Sequence, residues 1–154
     1  MRLPLYQVDA FTQRRFAGNP AAICPLPKWL PDHTLQAIAA ENNLAETAYF
    51  VAEPDGYRLR WFTPAVEVDL CGHATLAAAY VLMDCLGFGG DQVTFHSRSG
   101  PLTVLREGER YTLDFPSRPG VAQAVDPLLA AALGAAWEMG DRRFAPVSAA
   151  IFSK

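Results

Sequence analysis

The stretch Asp69-Leu70-Cys71-Gly72-His73-Ala74-Thr75 leads directly into a long apolar segment at residues 74–86, in which Asp84 is the one charged residue. A segment that is apolar on nearly all sides predicts a buried helix. The segments around it have the composition of short strands, mostly linked as hairpins, that can bury such a helix. The sequence therefore predicts an α+β fold, in which a curled, mostly antiparallel, barrel-like sheet surrounds a central apolar helix.

The start of this helix is a candidate anion site. The first backbone N–H groups of a helix have no partner within it, and the positive end of the helix dipole lies behind them, so a carboxylate fits there. Gly72 permits close approach of the backbone, and His73 can donate, accept or relay a proton near neutral pH. Cys71, Gly72, Ala74 and Thr75 are the candidate substrate-binding residues. The alternative is that Gly72 serves only a turn and His73 only satisfies a buried polar group.

Other segments alternate apolar and polar residues, as short strands do, and are bounded by residues typical of turns. An amphipathic helix is predicted over 31–42. The expected strands cover 3–11, 21–24, 44–51, 57–63, 92–96, 102–106 and 110–115. The first two are expected to pair, and the turn Pro54-Asp55-Gly56 predicts a hairpin between the third and fourth.

A change of composition at Pro116-Ser117-Arg118-Pro119-Gly120 predicts a linker. We expect one domain over residues 1–116. Residues 117–154 would then hold the linker, a short helix from Asp126-Pro127 to Leu133, and the truncated start of a second domain.

Composition narrows the functional class. The chain has 154 residues, of which 51% are hydrophobic and 19% charged, and its net charge of −3 comes with no basic cluster, which argues against nucleic-acid binding. The longest apolar run is too short to cross a membrane, and Pro4 and Asp9 interrupt any signal-peptide core. We expect a cytoplasmic protein with a small polar ligand.

Three cysteines without C-x-x-C spacing predict reduced thiols rather than a disulfide framework. Cys24 and Cys85 are expected to pack in the core. Cys71 differs because the helix dipole and His73 could lower its pKa. No metal is expected, since the three histidines are far apart in sequence and no Cys/His pair has structural-zinc spacing.

Glu46 is an acid at the beginning of an otherwise apolar strand. A carboxyl partly removed from water holds its proton more tightly and can act as general acid or base. The alternative is an exposed acid at the strand edge. Glu67 and Asp69 alternate with apolar neighbours and are expected to face solvent.

Four stretches together resemble one known family. They are Val8-Asp9-Ala10-Phe11-Thr12, Phe16-Ala17-Gly18-Asn19-Pro20-Ala21-Ala22, Asn43-Leu44-Ala45-Glu46-Thr47-Ala48-Tyr49-Phe50, and Arg60-Trp61-Phe62-Thr63-Pro64 continuing through Cys71-Gly72-His73-Ala74-Thr75-Leu76-Ala77. On these motifs, residues 1–120 resemble the N-terminal half of a PhzF-like protein, of the phenazine biosynthesis family in the diaminopimelate epimerase superfamily.

The resemblance implies two related domains, each with β-structure curled around a helix, and an active site between them. It implies a cofactor-independent isomerase, such as one acting on dihydro-hydroxyanthranilate, in which a glutamate moves a proton between carbon atoms. Glu46 matches that glutamate, while Gly72 and His73 match the glycine-histidine pair expected to contact substrate and assist proton handling. Cys71 corresponds to a catalytic thiol of the epimerases, but the glutamate motif favours a pocket-lining role here.

The second domain of such proteins is not represented in this sequence, so we expect half of an active site and little or no activity from the chain alone. The expected partner is a small-molecule carboxylate, cyclic or amino-acid-like, and a homodimer is expected if the cleft face buries against a second copy. Two other classes remain open, a non-catalytic small-anion binding module and a self-assembling structural domain.

Overall fold

The computed structural model describes residues 2–14, 16–116, 128 and 148–150. In these residues the chain forms two α-helices and nine strands. The helices are α1 (Asp32–Asn42) and α2 (Gly72–Tyr80), and a π-helical turn at Val81–Cys85 continues α2. The strands are β1 (Tyr6–Ala10), β2 (Asn19–Leu26), β3 (Glu46–Glu53), β4 (Gly56–Phe62), β5 (Glu67–Val68), β6 (Gln92–Ser97), β7 (Gly100–Glu107), β8 (Arg110–Asp114) and β9 (Ser148–Ala150).

All nine described strands belong to one sheet, ordered β1-β2-β3-β4-β6-β7-β8-β9, with β5 paired to β4. Of the eight described pairings, β2–β3 and β4–β6 are parallel and the others antiparallel. Parallel neighbours need a crossover connection, and α1 and α2 lie in these two crossovers. The predicted curled, mostly antiparallel α+β fold is confirmed, as are the pairing of the first two strands and the β3–β4 hairpin.

The core surrounds α2. Its side chains Ala74, Leu76, Ala77, Ala78 and Ala79 are each no more than 2% exposed, and the helix packs against β1, β2, β3 and β8. The alanines let the backbone of the sheet approach the helix axis closely. This confirms the prediction of a buried central helix, although its start is Gly72 rather than residue 74 and its last turn is π-helical.

A second apolar cluster places α1 against the sheet. Leu35 and Ala39 of α1 pack with Cys24, Tyr49 and Phe62 of the strands, and the Tyr49 hydroxyl donates to the Leu35 carbonyl at 2.8 Å. That bond satisfies the polar end of a fully buried ring. The predicted packing role of Cys24 is confirmed.

Two expectations about single residues are wrong. Cys85 is exposed, because the π-helical turn directs it away from the core that contains Val81, Leu82 and Met83. Glu67 does not face solvent. Its carboxylate is paired with Arg60 and Arg98, and its side chain is 15% exposed.

Asp69 is exposed, as expected. The predicted linker and the helix from Asp126-Pro127 to Leu133 lie outside the described residues, apart from Pro116 and the helical residue Leu128. The domain boundary at 116/117 stays a prediction. Among the described residues, no helix is long and apolar enough to cross a membrane.

Candidate active site

The structure brings the two predicted catalytic side chains together. Glu46 is the first residue of β3, and His73 is the second residue of α2. Because α2 packs against β3, the start of the strand faces the start of the helix. Glu46 Oε2 lies 3.2 Å from His73 Nε2, with the side chains 20% and 8% exposed.

Cys71 contacts the other nitrogen of the same ring. It is the residue before α2, in extended conformation, and its Sγ lies 3.3 Å from His73 Nδ1. The imidazole therefore has the thiol at Nδ1 and the carboxylate at Nε2, and the thiol and the carboxylate also lie close to each other. Cys71 is itself buried.

The carboxylate and the imidazole approach each other without aligned hydrogen bonding. Glu46 Oε2 and His73 Nε2 are both buried, and neither makes a hydrogen bond of good geometry to any described residue, despite their separation of 3.2 Å. Buried polar atoms rarely lack a partner, so these two are the atoms of this site best placed to engage a ligand or each other.

Burial sets the charge states of the ring and the thiol. Burial lowers the pKa of His73, and this effect is opposed by the nearby Glu46 carboxylate and by the backbone carbonyl of Pro20, which faces the ring. An imidazole whose pKa lies below its usual value of 6.5 is mainly neutral at pH 7.

Burial also raises the pKa of Cys71 to about 12, and Glu46 adds to this rise, while the backbone N–H groups of Ala74 and His73 oppose it. The expectation that the helix start and His73 would lower this pKa is wrong. Desolvation of the thiolate outweighs the helix-start groups, so the thiol keeps its proton.

The other candidate binding residues have structural contacts. Ala74 is fully buried, and the Thr75 hydroxyl, also fully buried, donates to the Cys71 carbonyl at 2.6 Å. A Cβ on Gly72 would lie 3.4 Å from Phe115 Cε2. Contact of Cys71, Gly72, Ala74 or Thr75 with a substrate stays a prediction.

Sequence reasoning missed two aromatic neighbours of this site. The Phe11 ring lies 6.4 Å from the His73 ring, between centroids, and the Phe115 ring lies near Gly72, 3.4 Å from where a Cβ would be. Both phenylalanines are nearly half exposed. Phe11 has a φ of 63°, which a bulky residue rarely adopts, and such strain is found more often at functional positions. The strand pattern around Phe11 carries no signal for this.

Among the described residues, two side-chain clusters have metal-ligating groups, Glu46–Cys71–His73 and Glu53–Asp55–His96, each with its ligand atoms within 4.8 Å of one another. Sequence reasoning missed both clusters because the carboxylates are far from the histidines along the sequence: Glu46 approaches His73, and Glu53 and Asp55 approach His96. In the first cluster, thiol and carboxylate face different ring nitrogens. The thiol keeps its proton because burial raises its pKa, and a protonated thiol is a poor metal ligand, so this cluster favours hydrogen bonding. In the second, Glu53 is already paired with Arg58.

Comparison with known proteins places this site in a family. The model of the family described as phenazine biosynthesis-like protein (PhzC-PhzF) matches residues 8–123, which include Glu46, Cys71 and His73. The chain belongs to the phenazine biosynthesis-like family. This confirms the resemblance drawn from the four motifs.

Relatives of this PhzF-family chain include proteins named as isomerases. An uncharacterized isomerase of Pseudomonas aeruginosa is 56% identical over 132 residues, covering 85% of this chain and 51% of that protein. A phenazine biosynthesis-like domain-containing protein of Homo sapiens is 43% identical over 145 residues, covering 87% of this chain and 50% of that protein. The chain spans about half the length of the curated relatives it matches.

Solved structures agree with the fold. A PhzF-family phenazine biosynthesis protein of Enterococcus faecalis matches with a TM-score of 0.82 and 51% identity, covering 87% of this chain and 52% of that one. A predicted epimerase from Pseudomonas aeruginosa matches with a TM-score of 0.61 and 28% identity, covering 73% of this chain and 42% of that one.

Proposed function

We propose that this chain carries the proton-transferring half of a cofactor-independent isomerase that acts on a small cyclic or amino-acid-like carboxylate. The observation that carries the proposal is the approach of Glu46 Oε2 to His73 Nε2, 3.2 Å apart at the start of a buried helix. Relatives named as isomerases and a structural neighbour titled a predicted epimerase support this reaction class.

Glu46 is the group that takes and returns the proton. As a carboxylate it removes a proton from a substrate C–H group, and the electron pair of that bond delocalises into an adjacent conjugated system. The same carboxyl then returns the proton to another carbon, or to the other face of the same carbon. Atoms and electrons balance within the substrate, so the scheme consumes no oxidant or reductant.

His73 assists from a neutral ring. Because burial lowers its pKa, the imidazole is mainly neutral at pH 7 and can donate one hydrogen bond and accept another. The helix start offers its positive dipole end to the substrate carboxylate. The neighbouring rings of Phe11 and Phe115 offer apolar contact to the rest of a small ligand.

Deuterium exchange tests the proposal most directly. The purified chain is incubated in D2O with a panel of cyclic and amino-acid carboxylates, and loss of substrate C–H signals is followed by proton NMR over days. We expect slow exchange, because the chain covers only half the length of its relatives. Glu46→Gln should lower the exchange rate by about 10² or more, the usual contribution of a general base.

The matched control is Glu53→Gln, which changes the last residue of the same strand, paired with Arg58 rather than with His73. It should leave the rate unchanged. Exchange that survives Glu46→Gln would contradict the assigned role. A panel in which no compound exchanges and none shifts the amide signals of Gly72 and His73 would contradict the proposal as a whole. Binding without exchange would favour the anion-binding module.

A further inference from the structure

The two nitrogens of His73 have different neighbours, and this difference determines where the ring carries its proton. Nδ1 faces the Cys71 thiol at 3.3 Å, and Nε2 faces the Glu46 carboxylate at 3.2 Å. We infer that Cys71 is a positioning residue: its S–H donates to Nδ1 and thereby keeps the imidazole proton on Nε2, directed at Glu46.

Donor and acceptor pairing supports this tautomer. A neutral imidazole has one N–H donor and one acceptor nitrogen, an ionised carboxylate only accepts, and a thiol can donate. With the proton on Nε2, the ring donates to Glu46 and accepts from Cys71. With the proton on Nδ1, the lone pair of Nε2 would face the carboxylate oxygen, and two acceptors would oppose each other at 3.2 Å in a buried site.

The states of the two partners agree with this arrangement. The thiol keeps its proton because burial raises its pKa to about 12, so it has an S–H to donate. The ring is mainly neutral because burial lowers its pKa, so one of its nitrogens has a lone pair that can receive that hydrogen bond.

The tautomer divides the roles in the proposed reaction. A ring protonated on Nε2 cannot be the first base on the side of Glu46, so the carboxylate takes the substrate proton and His73 acts as hydrogen-bond donor. This division rests on the proposed function. The tautomer itself does not, because it is a property of the protein without substrate.

Nitrogen NMR measures the tautomer directly. In protein labelled with ¹⁵N-histidine, long-range ¹H–¹⁵N correlations at pH 7.5 distinguish protonated from unprotonated ring nitrogens, and His73→Gln identifies the His73 signals. We expect a protonated Nε2 and an unprotonated Nδ1 in the native chain. Cys71→Ser, whose hydroxyl also donates, should keep this pattern.

Cys71→Ala should lower the preference for the Nε2–H tautomer by about fivefold, the ratio that one neutral hydrogen bond supplies. Cys24→Ala is the matched control, since Cys24 is a buried cysteine in the other apolar cluster, and it should leave the His73 signals unchanged. Amide spectra report whether each variant is folded.

A native protein with its proton on Nδ1 would overturn the inference, and this result needs no variant. So would a folded Cys71→Ala variant with the native tautomer ratio. If the tautomer is confirmed and no carboxylate exchanges deuterium, the inference about Cys71 stands and the proposed isomerase function does not.

Discussion

Gly18 tests whether the turn before β2 requires a glycine, because a side chain at this position would overlap the backbone of Ala10. Gly18 precedes β2 and has a φ of +92°. A Cβ built there would overlap the Ala10 carbonyl oxygen and lie 2.8 Å from Thr12 Cγ2. Gly18→Ala therefore combines two costs, an unfavourable φ and a steric overlap with backbone that cannot rotate away.

Gly100 separates these two costs. Its φ is +97°, within a few degrees of Gly18, but a Cβ there would have no atom of the described residues within 4 Å. Gly100→Ala should cost about 1–2 kcal/mol, the penalty of a left-handed conformation for a residue with a Cβ. Gly18→Ala should cost about 1–3 kcal/mol more, as overpacking does. The lower entropy of the unfolded chain affects both variants alike and cancels in the comparison.

Urea unfolding followed by tryptophan fluorescence gives the two free energies of unfolding. The Gly18 variant should also disturb the His73 signals, because the strand that follows Gly18 carries the Pro20 carbonyl facing that ring. Equal losses in the two variants would refute the reasoning, since the overlap at Gly18 would then have no energetic effect.

Three further predictions follow from buried or partly buried polar groups. Arg60→Lys should lower the free energy of unfolding in urea by about 1.5–3 kcal/mol, because lysine cannot form the bidentate pair that Arg60 makes with Glu67 at 2.7 and 2.9 Å. Arg58→Lys, which changes a more exposed ion pair with Glu53, should lower it by less than about 0.5 kcal/mol. The free energy of unfolding should fall as pH falls below about 6.5, because His73 takes up a proton more readily in the unfolded chain than in the folded chain, where its pKa is lowered. His73→Gln should make the free energy of unfolding less dependent on pH in this range. The same pH dependence in the native chain and the variant would contradict this prediction. Thr75→Val should cost about 1 kcal/mol in unfolding and leave carboxylate affinity in NMR titration unchanged, since its buried hydroxyl donates to Cys71; a large loss of affinity would instead support substrate contact by Thr75.

Much of the fold could be predicted because its signals are local. The β3–β4 hairpin and the strands β6 to β8 follow from alternation between turn residues, and α2 follows from a run of apolar residues. The parallel pairs β2–β3 and β4–β6 join segments far apart in sequence, so no local pattern specifies them. Strand β5 is two residues long, and the alternating pattern around it predicted wrongly that Glu67 faces solvent. Glu67 can be partly buried because it forms ion pairs with Arg60 and Arg98.

The candidate site could be predicted in its residue types but not in its protonation. Glu46 and His73 stand out in sequence, one as an acid in an apolar strand and the other at a helix start. The dipole argument for Cys71 failed because it considers only the helix, while the surrounding sheet removes the thiol from water and raises its pKa. The desolvation of a group depends on all the residues that pack around it, and the sequence alone does not show which residues pack around the start of α2. For the same reason the Cys71 thiol, whose pKa the helix start was expected to lower, keeps its proton in the folded chain, where it lies 3.3 Å from the imidazole beside Glu46.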